Sequence, residues 1–234
     1  MKPLVVASNM YNEIDQLEGW WNHASLIADS GILIVDSGST DGTIQFFEDK
    51  KKLGYKVVVI HDEIIQRDGY GPARNHLRHE SSVHFKDAHW MIYLDADERI
   101  FPEDFHRLRW IKDYLDFEYD VVALPRIDWM DDDMQKMAKD WRVNPDWQAR
   151  MTRLGSPLRY VRRLHEQITD FRKVYNSLSS PKINHFHRTA GQKKRDLVGK
   201  LCAKLHHEDD EWGHTYPKHH KEDHYLELYQ KEGL

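Results

Sequence analysis

Short apolar runs alternate with amphipathic segments through the first half of the chain, and this alternation restricts its fold more than any other feature. Each run is rich in branched apolar residues and stops at polar ones, as buried parallel strands do. The pattern predicts strands at residues 4–8, 32–36, 57–60 and 90–94. Apolar spacings of three and four predict helices at residues 14–28, 74–85 and 103–115, and one from residue 43 to a stop at Gly54. This order is typical of a parallel sheet covered by helices on both faces.

After Tyr119 the pattern becomes irregular. A strand is predicted at residues 121–124, then an acidic, Met-rich stretch at 128–140 and short strand-like runs at 147–152 and 158–163. Beyond Gly191 the chain becomes helical and charged, and six histidines lie within residues 206–224. We therefore expect one α/β domain over residues 1–190 and a helical, His-rich extension over residues 191–234.

The composition excludes several classes of protein. Of the 234 residues 40% are hydrophobic, with eight Trp and eleven Tyr, which excludes a disordered or fibrous chain. No apolar run approaches the roughly 20 residues that a membrane span requires. The single cysteine, Cys202, cannot form an internal disulfide, and the first residues show no signal-peptide pattern. A cytoplasmic location is therefore expected.

The net charge of −5 hides a basic segment. Residues 150–204 hold fourteen Lys and Arg against three acids, Glu166, Asp170 and Asp196. Such a segment can bind an anionic ligand, for example a diphosphate, a phospholipid or a nucleic acid. It can equally be a solvated helix face that is balanced by acidic neighbours.

Polar residues follow three of the predicted strands, at the edge where ligands of open α/β sheets bind. The strands end in Ser8-Asn9-Met10-Tyr11-Asn12-Glu13, in Asp36-Ser37-Gly38-Ser39-Thr40-Asp41 and in Asp95-Ala96-Asp97-Glu98. Two carboxylates, Asp95 and Asp97, at the mouth of a buried strand can reach one divalent cation. Asp36 is expected to accept a hydrogen bond from a nucleobase or ribose. Asn12 and Asp41 are expected to cap the helices that follow these loops.

Two glycines and a proline shape the loop ahead of the fourth strand. The loop Gly69-Tyr70-Gly71-Pro72 is expected to deliver Arg74 and Asn75 to the start of a helix. An arginine there can pair with a diphosphate or a base carbonyl. A surface arginine without a ligand would be unfavourable at this position, because the start of a helix is the positive end of its dipole.

These motifs, in this order and spacing, resemble those of the family 2 glycosyltransferases of the GT-A fold. The matching segments are Asn9-Met10-Tyr11-Asn12-Glu13, Ile34-Val35-Asp36-Ser37-Gly38-Ser39-Thr40-Asp41-Gly42-Thr43, Ala73-Arg74-Asn75 and Leu94-Asp95-Ala96-Asp97-Glu98. The last is most similar to the branch that includes lipopolysaccharide-core glucosyltransferases. The second half of the chain also resembles this branch. The matching segments there are Asp146-Trp147-Gln148-Ala149-Arg150, Leu164-His165-Glu166 and Ile183-Asn184-His185-Phe186-His187. The resemblance implies a Rossmann-like GT-A domain with a mostly parallel sheet, followed by a helical extension.

The resemblance also implies an activity. Members move a sugar, with inversion, from a nucleotide-diphosphate sugar to an acceptor hydroxyl, and a UDP-sugar is the first donor to consider. Mn²⁺ or Mg²⁺ would neutralise the leaving diphosphate. The implied metal ligands are Asp97, Asp95, His185 and His187. The implied nucleotide-sugar-binding residues are Ser8, Asn9, Tyr11, Glu13, Asp36, Ser37, Gly38, Arg74, Asn75, Asp95, Ala96 and Asp97.

An inverting displacement needs a general base that deprotonates the acceptor hydroxyl. Glu166 is the first candidate, because it is one of only three acids in the basic segment. Asp146 is the second candidate. The alternative for Glu166 is a structural ion pair with Arg162 or Arg163.

The basic segment also bears on the acceptor. A glycolipid, a lipopolysaccharide or hydroxylated DNA would each suit it, and peripheral contact with a membrane is compatible with its charge. A nucleotidyltransferase is an alternative function, but it usually has a Gly-rich, Lys-bearing loop that residues 7–13 lack. A non-catalytic nucleic-acid-binding module on residues 150–204 is another, although no recognised nucleic-acid motif is present.

Overall fold

The computed structural model describes residues 1–129, 134, 146–186 and 192–208. Most of the acidic stretch at 128–140 therefore lies outside the described residues, as do His187 and the His-rich segment after residue 208. What the sequence predicts for these positions stays a prediction.

The first half of the chain has the predicted order of strands and helices. Its elements are β1 (Leu4–Met10), α1 (Ile14–Ile27), β2 (Gly31–Asp36), α2 (Thr43–Lys52), β3 (Val57–His61), α3 (Ile64–Asp68), α4 (Tyr70–His84) and β4 (Trp90–Tyr93). All four predicted strands are confirmed. The short helix α3 is not indicated by the sequence pattern.

The second half is built of short strands around two longer ones. Its elements are β5 (Glu98–Arg99), a 3₁₀ turn (Pro102–Asp104), α5 (Phe105–Tyr114), β6 (Tyr119–Asp128), β7 (Asp146–Arg153), β8 (Arg159–Val161), β9 (Gln167–Thr169), β10 (Lys173–Asn176), β11 (Ile183–His185) and α6 (Gln192–Glu208). The runs predicted at 121–124 and 147–152 lie within β6 and β7. The run predicted at 158–163 shortens to the three residues of β8.

Nine strands of the described residues form one mixed sheet in the order β3-β2-β1-β4-β7-β6-β11-β5, with β10 paired to β6. The first four run parallel, and β7 runs antiparallel to both of its neighbours. β8 and β9 form a separate antiparallel pair. The α/β class with a mostly parallel central sheet is therefore confirmed.

Helices cover both faces of the sheet, as predicted. On one face α1, α2 and α5 bury Leu17, Phe47 and Ile111, and on the other α3 and α4 bury Ile64 and Leu77. Full burial of a side chain of this size contributes about 1.5–3 kcal/mol. Strands that are covered on both faces are apolar throughout, which is why the sequence marks them so clearly. This packing fixes the strand ends at one edge of the sheet.

The loops after β1 and β2 are tied together where their helices begin. Asp41 Oδ1 accepts hydrogen bonds from the N–H and hydroxyl of Thr43, at 3.0 and 2.7 Å, and Oδ2 accepts one from the N–H of Ile14 at 3.0 Å. Asp41 therefore accepts backbone N–H groups at the starts of both α1 and α2. The prediction that Asn12 caps α1 is wrong, because its side-chain oxygen instead accepts from the N–H of Thr40 at 2.8 Å.

Candidate active site

The carboxyl ends of β1 and β2 carry two polar groups that have no partner in the part of the chain that the structure describes. Asn9 pairs with Val35 in the parallel register, and the N–H of Ser37 donates to the carbonyl of Met10 at 2.8 Å, so Asn9 and Ser37 are neighbours. Asn9 Nδ2 and Ser37 Oγ are buried and have no hydrogen-bond partner among the described residues. Each unmet buried polar group costs roughly 1–3 kcal/mol. Two of them at a strand end are expected of a site that a polar ligand completes.

Other candidates at this edge have structural partners. The buried carboxylate of Asp36 accepts hydrogen bonds from the N–H groups of Gly38 and Ser39, at 3.0 and 3.1 Å. Asp36 therefore holds its own loop. Ser8 is buried inside β1, whereas Tyr11 lies beyond it with 37% of its surface exposed. Contact with a nucleotide stays a prediction for Ser8, Tyr11, Glu13, Asp36, Gly38 and Ala96.

Asp95 and Asp97 face different partners. Asp95 Oδ1 accepts a hydrogen bond from the Tyr93 hydroxyl, and Oδ2 accepts one from Arg150 Nη2 at 2.6 Å. Burial alone would raise the pKa of the Asp95 carboxyl, but the guanidinium groups of Arg150 and Arg74 outweigh burial and hold the pKa below its usual value. Both oxygens are thus engaged, so a metal ion at Asp95 would compete with a guanidinium group.

Arg150, which the sequence analysis leaves out of the site, lies at its centre. Strand pairing passes from Met151 directly to Ala149, so Arg150 is the extra residue of a β-bulge in β7. Bulges beside active sites re-aim a side chain. Here Arg150 Nη2 contacts Glu98 Oε1 at 2.6 Å as well as Asp95, and Glu98 is fully buried. Arg150 therefore links the two ends of the Asp95–Glu98 turn.

Strand β11 brings His185 between two carboxylates. His185 lies opposite Glu98 of β5 on one side and Asp128 of β6 on the other. His185 Nδ1 donates to Asp128 Oδ1 at 2.6 Å, and Nε2 lies 3.6 Å from Asp97 Oδ2. Burial alone would lower the pKa of His185, but the carboxylates of Asp128 and Asp97 raise it to about 10.

Asp97 and His185 fit a divalent-metal site that substrate would complete. A carboxylate that holds the Nδ1–H of an imidazole orients Nε2 toward a metal, and Asp128 is placed in this way on His185. Carboxylate oxygen and imidazole nitrogen suit Mn²⁺ well, with phosphate oxygens and water in the other positions. Within the described residues, no three side chains of His, Cys, Asp or Glu form a metal site by themselves. His187, another predicted ligand, lies outside those residues.

Glu166 is held by Arg74. Arg74 Nε donates to Glu166 Oε1 at 2.5 Å, and the guanidinium carbon lies 3.4 Å from the ring centre of Tyr93. Burial alone would raise the pKa of the Glu166 carboxyl, but Arg74 and Arg150 outweigh burial and hold the pKa below its usual value. Glu166 therefore forms an ion pair with Arg74 of α4. The structural ion pair that the sequence offers as an alternative to catalysis has a different partner, Arg162 or Arg163.

The start of α4 differs from the prediction. The helix begins at Tyr70, so Arg74 and Asn75 lie in its second turn and not at its start. Asn75 Nδ2 donates to the carbonyl of Tyr160 at 2.7 Å, and Asn75 Oδ1 accepts the N–H of Tyr160 at 2.9 Å. Both residues therefore contact the segment that carries Glu166. Their contact with a nucleotide stays a prediction.

The second candidate base, Asp146, belongs to the same charged cluster. Arg126 Nη2 donates to Asp146 Oδ2 at 2.6 Å, and Gln148 Nε2 donates to the same oxygen at 2.9 Å. The cluster sets six carboxylates, of Asp95, Asp97, Glu98, Asp128, Asp146 and Glu166, against Arg74, Arg126, Arg150 and His185. Counted over the described residues alone, with His185 protonated, the cluster holds six negative charges and four positive ones.

Replacing Gly71 by alanine is expected to displace the segment that carries Glu166. A Cβ at Gly71 would lie 2.3 Å from the carbonyl oxygen of Arg162, to which the Gly71 N–H already donates at 3.1 Å. Because that obstacle is backbone, we expect the free energy of unfolding to fall by about 1–3 kcal/mol. Denaturant unfolding measures the change.

The matched control is Gly19→Ala in α1. Its Cβ would meet the far end of the Arg99 side chain, at 2.6 Å, and that side chain can move. Alanine is also the better helix former by about 1 kcal/mol. The control should therefore unfold no more easily than the original chain. Equal losses in the two variants would contradict the docking of α4 on Arg162.

Four of the fourteen cations of the basic segment form ion pairs with acids among the described residues. These pairs are Arg150 with Asp95 and Glu98, Arg159 with Asp170, Arg172 with Asp120, and Lys173 with Glu118. Within the same described ranges, every helix is too short or too polar to cross a membrane.

This α/β fold is that of a class of enzyme, the GT-A glycosyltransferases. The family model described as Glycosyl transferase family 2 matches residues 9–171, well over half of the chain. The chain therefore belongs to glycosyl transferase family 2. A similarity to the lipopolysaccharide-core branch stays a prediction. A search of curated proteins finds no match.

Solved structures show the same fold at low sequence identity. TarS from S. aureus has a TM-score of 0.54 and 14% identity, over 87% of this chain and 39% of TarS. TarS 1-349 in complex with UDP has a TM-score of 0.52 and 14% identity, over 88% of this chain and 65% of that one. The mannosyltransferase PcManGT from Pyrobaculum calidifontis, in complex with GDP-Man and Mn²⁺, has a TM-score of 0.50 and 13% identity, over 98% and 70%. The chain thus spans well under half of the longer TarS chain.

Proposed function

We propose that the chain is a metal-dependent, inverting glycosyltransferase that moves a sugar from a nucleotide-diphosphate donor to an acceptor hydroxyl. The observation that carries the proposal is the Asp128–His185–Asp97 arrangement, which lies on the same strand edge as the unpaired polar groups of Asn9 and Ser37. Family membership supports sugar transfer. The UDP and GDP-Man complexes of similar folds support a nucleotide donor, and a UDP-sugar is the first to test.

Each part of the cluster has a role in this proposal. Asn9 and Ser37 would bind the nucleoside, since their buried polar atoms lack partners. Asp97 and His185 would hold the divalent metal, which when bound supplies positive charge to the leaving diphosphate. Glu166 would accept the proton of the attacking hydroxyl. An acceptor on a glycolipid, lipopolysaccharide or modified DNA, and a cytoplasmic location, belong to the same proposal.

Donor binding is the first measurement. UDP-glucose or GDP-mannose at about a hundred times its Kd should stabilise the chain by about 2.7 kcal/mol, provided Mn²⁺ or Mg²⁺ is present. For a chain of this length that is a rise in Tm of roughly 5–10 °C. In Asp97→Asn the metal-dependent part of the rise should disappear, because the variant lacks the anionic ligand.

The control is Asp15→Asn, which removes an exposed acid of the first turn of α1. It should keep the whole donor-induced rise. If the metal-dependent rise in Tm persists in Asp97→Asn, Asp97 is not a ligand of the metal. No rise with any nucleotide sugar and either metal would contradict the proposed donor site.

A further inference from the structure

A cavity of about 240 Å³ adjoins Glu166 on the side of β6 and β7. We call it the Glu166 pocket. Its floor is polar and is formed by Arg74, Gln148, Arg150 and Glu166. Its walls are mainly apolar and include Tyr160, Ile168, Phe171 and Val174. The volume lies just below the roughly 300–1,000 Å³ of pockets that hold drug-sized ligands, so it suits a single ring.

Two arginines that line the pocket each carry a buried hydrogen-bond donor that has no partner among the described residues. Arg74 is 7% exposed and Arg150 is 5% exposed, so both side chains are more than nine-tenths buried. Arg74 Nη1 and Arg150 Nε have no hydrogen-bond partner among the described residues. Native structures leave few buried donors unmet. A ligand in the pocket should therefore offer oxygen or nitrogen acceptors to both arginines.

The charges of the floor are already balanced. Arg74 is paired with Glu166, and Arg150 is paired with Asp95 and Glu98. An anion would find both guanidinium groups neutralised and would meet the negative Glu166. The floor thus offers donors and acceptors together but no net positive charge, which matches hydroxyl groups, since each both donates and accepts.

The mouth of the pocket is apolar. Phe171 and Val174 each expose 39% of their surface at its rim, and Tyr160 and Ile168 lie deeper. A sugar ring has hydroxyl groups at its edge and an apolar C–H face. Its edge would meet the arginines, Gln148 and Glu166, and its face would meet Phe171 or Tyr160.

We propose that the Glu166 pocket binds one uncharged sugar ring of the acceptor; this inference rests on the proposed function. A hydroxyl oxygen of that ring attacks the anomeric carbon of the donor. The new bond joins this oxygen to the anomeric carbon, and the bond from that carbon to the diphosphate oxygen breaks, with its electron pair leaving on the diphosphate. The hydroxyl proton passes to the Glu166 carboxylate.

Binding of small glycosides tests the pocket directly. Saturation-transfer NMR would compare methyl β-glucoside and methyl β-galactoside with glucose 6-phosphate, glucuronic acid and hydroxymethyl-deoxycytidine. Val174→Trp, which fills the mouth, should weaken binding of the neutral glycosides at least tenfold. Leu178→Trp is the matched control, because Leu178 is 72% exposed and lies outside the pocket lining. It should change nothing.

A second variant keeps the pocket testable if Val174→Trp does not fold. Phe171→Ala removes an apolar contact at the rim without adding bulk and should weaken the neutral glycosides severalfold. The donor-induced rise in Tm should be unchanged in both pocket variants.

Several outcomes would overturn the inference. They are no glycoside binding to the original chain, unaltered binding in both Val174→Trp and Phe171→Ala, or tighter binding of a charged sugar or the nucleoside. Failure of the proposed function would give a different result, because the original chain would then show no donor-induced rise in Tm.

Discussion

Glu166→Gln is expected to reduce the rate of sugar transfer by about a hundredfold or more, the usual contribution of a general base. Glutamine keeps an oxygen that can accept the hydrogen bond from Arg74 Nε, so the side chain should stay in place while it loses its basicity. Donor binding should be close to that of the original chain. Steady-state transfer from a UDP-sugar, together with the donor-induced rise in Tm, measures both effects.

The comparison variant is Asp146→Asn. Asp146 is held by Arg126 and Gln148 at the start of β7, and it does not line the Glu166 pocket. We expect this variant to lose much less transfer than Glu166→Gln. The reverse result, with Glu166→Gln near the original rate, would assign the base to Asp146.

The pH dependence of transfer follows from the environment of Glu166. Because Arg74 and Arg150 outweigh burial and hold its pKa below the usual value, the carboxylate stays ionised through the neutral range. A general base acts in its ionised form, so protonation of Glu166 should not lower transfer until the pH drops below the ordinary glutamate pKa of about 4.3. A decline in turnover at higher pH that disappears in Glu166→Gln would contradict this assignment.

The sheet edge that carries the proposed donor site could be predicted from the sequence for a clear physical reason. Strands buried on both faces must be apolar throughout, so their boundaries show in the sequence as sharp changes to polar residues. The positions of Asn9, Ser37 and Asp97 at one edge of the sheet follow from these boundaries and from the parallel order of strands.

The contacts around Glu166 could not be predicted in the same way. Arg74 and Glu166 are 92 residues apart, and they meet because the first turn of α4, which the sequence predicts as a glycine loop, contacts the backbone of Arg162. The glycines mark that loop in the sequence, but nothing in their spacing names its partner. The start of α4 at Tyr70 also depends on this contact, since the N–H of Tyr70 donates to the carbonyl of Arg163 at 2.7 Å.

Two further site residues were missed because the strands that place them are irregular. Asp128 ends β6 and reaches His185 only because the three-residue strand β11 pairs beside it. Arg150 turns toward Asp95 because of a bulge, and a bulge shifts the alternation of side chains on which sequence prediction of strands depends. In the sequence, Arg150 is indicated only by the motif Asp146-Trp147-Gln148-Ala149-Arg150, and that motif rests on the family resemblance.

Arg150→Met is expected to be the most destabilising of these substitutions. It would leave Glu98, which is fully buried, and Asp95 facing each other without the guanidinium group that contacts both. Removing one partner of a buried ion pair costs about 3–5 kcal/mol. For a chain of this length that corresponds to a fall in Tm of roughly 6–20 °C. Denaturant and thermal unfolding measure the loss.

The double variant Arg150→Met with Glu98→Gln separates charge from packing. If the loss comes from an uncompensated carboxylate, neutralising Glu98 in the Arg150→Met background should recover part of the stability. The interaction energy between the two substitutions should then fall in the range of about 0.5–3 kcal/mol found for residues in one charged network. Simple additivity would show that Arg150 does not stabilise the fold through Glu98, and would leave its ion pair with Asp95 as the charge contact that matters.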